Sequence, residues 1–407
     1  MTTCPVRPGL ALDPSSPSFA ADPFPVYAAV TAAGGVAPAT LPNGSTAWLV
    51  TAYEPAREVL REVSRFSANP ARAARPSTPG VLERHMLNTD GTEHLRLRAA
   101  VAARFTAPAI AALRPRVQAI SGQLIEDVRR QLSTGPVELV SAYAFALPTL
   151  VVFDLLGVPL DDRFRLRTLT ATVATPRAAL PQQGLLDGAW QDLEAYFREL
   201  VRERRGRPAA VEPGRPPGLV DDLLSGPQAA LSDDELLAMC FLLLFAGYET
   251  TMNLLGSIAW LLLGGRLPLT GAAAPDAGER EVEECLRWAS PIEGATWRYA
   301  VTDTQLGTMH IPAGASVLVV LAAANRDEQR WPAAAVVDPS RPLQPHLAFG
   351  YGAHHCLGAR LARLEAEIGL ADLRTLLQDV RPAEPLQDLP WRTGLLVRGP
   401  ARLLVTR

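Results

Sequence analysis

Residues 349–363 read Phe349-Gly350-Tyr351-Gly352-Ala353-His354-His355-Cys356-Leu357-Gly358-Ala359-Arg360-Leu361-Ala362-Arg363. One cysteine stands in a glycine-rich loop, and a helical pattern starts directly behind it. Gly350 and Gly352 allow sharp turns and close approach to a flat partner. Leu357, Leu361 and Leu364, with Ala362 and Ile368, form an apolar stripe of helical period. The pattern places Cys356 at a helix N-terminus, where free amides and the positive dipole end favour a thiolate. Gly358 removes a side chain where the helix would press on a ligand.

A thiolate held in this way suits an axial bond to haem iron. The order Phe349, Gly350, Gly352, His354, Cys356, Gly358 resembles the haem-binding loop of the cytochrome P-450 family. The resemblance covers nearly the whole chain. It implies a mainly α fold with a minor β part: one triangular haem domain, residues 1–407, with a long central helix. It also implies heme b as cofactor, with Cys356 as its metal ligand and Phe349, Gly350 and Gly358 in the binding loop. A zinc reading of His346, His354, His355 and Cys356 lacks a second ligand cluster and leaves the glycines unexplained.

Bulk properties are compatible with this. The 407 residues are 48 % hydrophobic and 20 % charged, an ordinary globular composition. The net charge of -3 gives no case for nucleic-acid binding. The chain has no lysine, so all 39 basic residues are arginine and Schiff-base chemistry is excluded. Cys4, Cys240, Cys285 and Cys356 form no disulfide framework, which fits a reduced cytoplasm. Met1 to Asp13 carries neither a signal pattern nor an anchor, so the expected protein is soluble and cytoplasmic. A monomer is expected as well.

Asn43-Gly44 predicts a hairpin, followed by a strand from Ala47 to Thr51. Helical patterns occupy 54–62, 93–104, 110–132, 138–157, 188–205, 232–264, 279–289 and 357–377. Leu219 to Leu224 resumes one after the proline-rich loop Gly206 to Gly218. Ser316 to Leu321 reads as a strand.

The 232–264 segment starts with a capping-box pattern, Ser232 and Glu235. Its apolar run suits a membrane span, but Tyr248-Glu249-Thr250-Thr251 and Asn253 interrupt it. An acidic group at a span's centre costs about 2.5–3.5 kcal/mol on insertion scales. A helix buried in a soluble core is the better reading. Within it, Ala246 and Gly247 leave room against a ring. Thr250 lies one turn after Ala246 and can compete for that carbonyl, loosening the ladder and opening a gap. Glu249 can shuttle protons to that gap. This sextet resembles the family's oxygen-activation motif, which implies Thr250 and Glu249 as catalytic residues and Ala246 beside the cofactor.

Glu284-Cys285-Leu286-Arg287 resembles the family's Glu-x-x-Arg pair. In the family it joins a later arginine, and Arg341 fits that place in a structural network. Val337 stands where the family often has phenylalanine. The anionic groups of haem need cationic donors. Five positions match the family's: His94 and Arg98, four apart on one helix face, then Arg298, His346 and His354.

The resemblance implies a haem-thiolate monooxygenase that hydroxylates or epoxidises a small apolar molecule, a secondary metabolite, with molecular oxygen. No nucleotide-binding fingerprint appears, so electrons are expected from a separate ferredoxin and ferredoxin reductase. Arg104, Arg360 and Arg363 are candidate docking residues. By the same resemblance, the substrate pocket should include Phe241, Leu244, Phe245, Leu395 and Leu396. Two alternatives stay open on the residues alone: a peroxide-using or rearranging haem-thiolate enzyme, and a non-catalytic haem-binding protein.

Overall fold

The computed structural model describes residues 10–73, 80–174, 184–205, 218–225, 231–270 and 276–407. The expected loop at 206–217 lies outside them. The fold is mostly helical with a small share of strand.

The 31-residue helix Asp233–Leu263 is the axis of the molecule. Its capping box forms as the sequence predicts. Glu235 N–H donates to Ser232 Oγ at 3.2 Å, and Ser232 N–H donates to Glu235 Oε2 at 2.8 Å. By length and composition this helix could cross a membrane, yet 67 % of its most apolar window is buried inside the protein. Helices Ala107–Leu132, Ala146–Leu156, Ala277–Trp288 and Ala359–Leu376 surround it and share its main hydrophobic core. Gly247 permits one of these contacts, because a Cβ there would meet Val152 Cγ2 at 2.5 Å. Helix packing therefore favours glycine at this position.

The larger sheet has six strands, in the order Leu10–Ala11, Val36–Thr40, Thr46–Val50, Ser316–Val319, Arg298–Ala300, Phe66–Ser67. The Asn43-Gly44 hairpin sets Val36 opposite Val50, and Thr46–Val50 then pairs in parallel with Ser316–Val319. Arg298 stands opposite Val317, so the register of this sheet aims the arginine.

Several boundaries differ from expectation. Helix Gly91–Ala102 starts two residues early, and Ala107–Leu132 absorbs Pro115. The 138–157 pattern divides. Val137–Glu138 is a strand paired with Leu404–Val405, Val140–Ala144 is a π-helical turn, and the α-helix spans Ala146–Leu156. The predicted strand Ser316–Leu321 ends at Val319, and Leu321–Ala324 turns into a short helix. Helices Pro17–Ala21 and Phe24–Ala32 escaped the pattern search. Both carry proline in the first turn, where the missing N–H costs nothing.

Candidate active site

The cysteine loop is built by local hydrogen bonds. Gly350 N–H donates to Leu347 O at 2.8 Å, His355 N–H to Gly352 O at 3.1 Å, and Cys356 N–H to Phe349 O at 2.9 Å. Gly350 and Gly352 take left-handed φ of 69° and 75°. Gly352 also lies against the backbone of Leu60, where a Cβ would come within 2.7 Å of the carbonyl oxygen. Helix Ala359–Leu376 begins right after Gly358.

Cys356 faces a cavity of about 240 Å3. The thiol is accessible within that cavity and enclosed by protein. Burial pushes it up from its ordinary value, while the Gly358 N–H, Arg98 and Arg363 pull it down. An electropositive ligand on sulfur would favour the thiolate further.

The central helix forms another part of the wall. Leu242, Leu243, Ala246, Gly247, Thr250 and Thr251 line the same cavity as Cys356. Thr250 Oγ1 donates to Ala246 O at 2.9 Å. The helix is continuous through this point. A carbonyl has two lone pairs and accepts the hydroxyl together with the helical N–H. Glu249 is not part of the lining. It is mostly buried, and burial raises its carboxyl above the usual range while Arg392 partly offsets this.

The five expected cationic groups divide. Arg98, Arg298 and His354 line the cavity. Arg298 is 2 % exposed, and its Nη1 donates to Thr296 O, Thr296 Oγ1 and Trp297 O. Its Nε has no acceptor. Burial depresses the guanidinium to about 10, with Asp90 partly restoring it. Arg98 Nη2 donates to His355 O at 2.8 Å. His354 Nε2 meets Asp90 Oδ1 at 3.1 Å, and its buried Nδ1 has no partner.

The other two groups are placed elsewhere. His94 is buried but does not line the cavity. Its ring nitrogens face Met86 O at 2.8 Å and Ala353 O at 3.1 Å, and it packs on His354 with ring centroids 4.1 Å apart. His346 turns away, with Nε2 3.2 Å from Glu283 Oε2. Arg363 reaches the same carboxylate at 2.6 Å, and His346 and Arg363 hold it down at about 2.

The residues facing the cavity fit an anionic, planar iron cofactor. A buried guanidinium with an orphaned Nε, an imidazole with an orphaned Nδ1 and an accessible thiol converge on one space. Leaving such donors unmet costs about 1–3 kcal/mol apiece, more for charged groups.

The Glu284 network lies behind this loop. Arg287 Nη2 and Nε reach Glu284 Oε1 and Oε2 at 2.7 and 2.8 Å. Arg287 also donates to Asn325 O, Ala334 O and Val336 O. Arg341 Nε lies 3.6 Å from Glu284 Oε1, while its Nη1 and Nη2 donate to Pro332 O and Ala333 O. Asn325 Oδ1 in turn accepts Leu347 N–H at 2.6 Å, which ties the network to the start of the cysteine loop.

The expected pocket residues lie off the cavity. Phe241 and Phe245 stack on Trp190 at 5.9 and 4.8 Å, and Leu244 is fully buried. Their neighbours Leu242 and Leu243 take the lining positions. A helix apolar on all sides carries no phase, so the pattern could not say which face meets the ligand. Leu395 packs with the N-terminal core, and Leu396 is 43 % exposed.

One lining residue was overlooked. Glu365, on the helix behind Cys356, is fully buried and both its carboxyl oxygens lack partners. Burial raises its carboxyl well above 4.5. Its sequence signal was a carboxylate inside the stripe Leu361, Leu364, Ile368.

Comparison with known proteins agrees with this arrangement. The family model Cytochrome P450 matches residues 40–263 and 279–394. Cytochrome P450 monooxygenase PikC of Streptomyces venezuelae is 36 % identical, covering 96 % of this chain and 92 % of that protein. Mycinamicin IV hydroxylase/epoxidase of Micromonospora griseorubida is 36 % identical, over 89 % and 90 % of the two chains. The ligand-free structure of the P450 monooxygenase TamI superposes with a TM-score of 0.84 at 33 % identity, covering 98 % of this chain and 94 % of that one. The chain therefore belongs to the cytochrome P450 family and is a monooxygenase, an oxidoreductase that incorporates molecular oxygen.

Proposed function

We propose that the whole chain, 1–407, is one haem domain that binds heme b through the thiolate of Cys356 and hydroxylates or epoxidises a largely apolar small molecule. The observation that carries this reading is that Cys356 and Thr250 line one and the same cavity. When bound, the haem supplies oxygen activation, which the cysteine thiolate promotes. Arg298, Arg98 and His354, which line the cavity, would offer donors to its anionic groups. Thr250 holds a hydroxyl proton at the cavity wall, and the raised carboxyl of Glu249 is suited to passing protons inward from solvent. Leucine side chains dominate the rest of the lining, which favours an apolar substrate.

Mycinamicin IV hydroxylase/epoxidase carries its substrate in its name, and by analogy a secondary metabolite is the substrate class here. Electrons come from a ferredoxin and its reductase, in the cytoplasm, to a monomer with no membrane or nucleic-acid partner. Of the three candidate docking arginines, Arg104 is paired with Asp222 and Arg363 with Glu283. Arg360 is exposed and is the best placed to meet an acidic carrier.

The test is spectroscopic. The reduced, carbon-monoxide-bound holoenzyme should show the absorption band of thiolate-ligated haem, and Cys356→His should abolish that band while haem is retained. A wild-type spectrum typical of histidine ligation would overturn the assignment. A panel of macrolides, terpenes and fatty acids would then rank substrates by their displacement of iron-bound water.

A further inference from the structure

A second cavity, of about 300 Å3, lies where the N-terminal helices, the end of the central helix and the C-terminal segment meet. No residue lines both this cavity and the one at Cys356. Its volume is at the lower end of the roughly 300–1,000 Å3 typical of small-molecule sites. Three tryptophans and three arginines dominate the wall. Trp260 and Trp288 are nearly parallel, with centroids 6.0 Å apart and planes 22° apart. Trp391 stands edge-on to Trp260 at 5.1 Å.

Each arginine lies over an indole. Arg266 is 4.9 Å from the Trp260 centroid, Arg326 is 4.0 Å from that of Trp288, and Arg398 is 4.5 Å from that of Trp391. Arg398 is the best satisfied. It donates to Ala20 O and Ala21 O, with Glu293 Oε2 3.7 Å away. Arg326 spends Nε and Nη2 on one acceptor, Trp288 O. Among the described residues, neither Arg266 nor Arg326 has a carboxylate at ion-pair distance. Asp22 is the only acidic residue in the wall. The cluster has an electrostatic cost: burial, and then Arg398, Arg287 and Arg266, hold the Arg326 guanidinium well below its ordinary range, with Asp22 only partly offsetting them. An anion in this space would relieve that repulsion, and flat indole walls select a flat ligand.

We propose that this cavity is a second ligand site that binds a small aromatic carboxylate, its ring against the indoles and its carboxylate toward Arg266 and Arg326. The site is separate from the substrate cavity, so both ligands bind at once.

Benzoate is the probe, with benzyl alcohol as its uncharged counterpart, and the protein is the haem-loaded enzyme carrying 5-fluorotryptophan. Single Trp→Phe variants assign the 19F resonances. Benzoate should shift the signals of Trp260, Trp288 and Trp391 saturably, and benzyl alcohol should bind at least tenfold more weakly. Arg326→Gln should weaken benzoate at least tenfold. Arg266→Gln, at an exposed position that tolerates substitution, should do the same if the Arg326 variant fails to fold. Equal binding of the alcohol, unchanged affinity in Arg266→Gln, or shifts confined to tryptophans outside this cavity would each overturn the proposal.

Discussion

Glu284 and Arg287 grip one another through both prongs, at 2.7 and 2.8 Å, and both side chains are at most 5 % exposed. Removing one partner strands the other without water. Glu284→Ala should therefore cost about 3–5 kcal/mol. It should also release Asp338 N–H, which Glu284 Oε1 accepts at 2.7 Å. Arg287→Lys should be nearly as damaging, since an ammonium has no planar fork to span carboxylate and three carbonyls. Urea denaturation midpoints measure both variants; a change under 1 kcal/mol in either would refute the structural role.

Thr250→Ala should behave in the opposite way. The hydroxyl supplements a helical carbonyl that is already bonded, and the side chain faces a cavity. Stability should stay within about 0.5 kcal/mol of wild type. Coupling should fall, so that more reducing equivalent is released as hydrogen peroxide per product formed. Peroxide assay alongside product chromatography checks this, and unchanged coupling would remove Thr250 from proton handling.

Glu365→Gln should stabilise the protein, and more so at high pH. The folded-state carboxyl titrates well above the unfolded value of 4.5. Between those two values the native state binds more protons than the unfolded chain, so stability falls as pH rises. Glutamine has a similar shape and no proton to lose. Thermal unfolding of both proteins at pH 5 and pH 8 should give similar midpoints at the lower pH and a higher midpoint for the variant at the upper one.

Arg298→Met separates folding from cofactor retention. Without haem the variant should be at least as stable as wild type, because a buried cation with an orphaned Nε is replaced by an apolar chain. With haem, the lost charge-assisted bonds are worth about 1.5–3 kcal/mol, or roughly 10–100-fold in affinity. Transfer of haem to apomyoglobin should speed up accordingly. Equal transfer rates would place the anionic groups of the cofactor elsewhere.

What the sequence determined by itself was local. The cysteine loop was legible because its glycines, a lone thiol and a following stripe are all encoded within one short stretch, residues 349–368. The central helix was legible because its cap and its apolar length are likewise local. Even the Glu284–Arg287 pair could be read, since residues three apart share a helix face. Tertiary structure decided everything that depends on rotation or on distant partners. It turned Leu242 and Leu243, not Phe241 and Phe245, toward the cavity, because a uniformly apolar helix takes its phase only from its neighbours. It assigned His346 to Glu283 and left Arg298 with an unmet donor, because charges of one kind look alike until the fold distributes their partners. It also sealed Glu365 beside the site and gathered Trp260, Trp288 and Trp391 from segments up to 131 residues apart. No periodicity records such contacts, because they arise from the packing of whole helices.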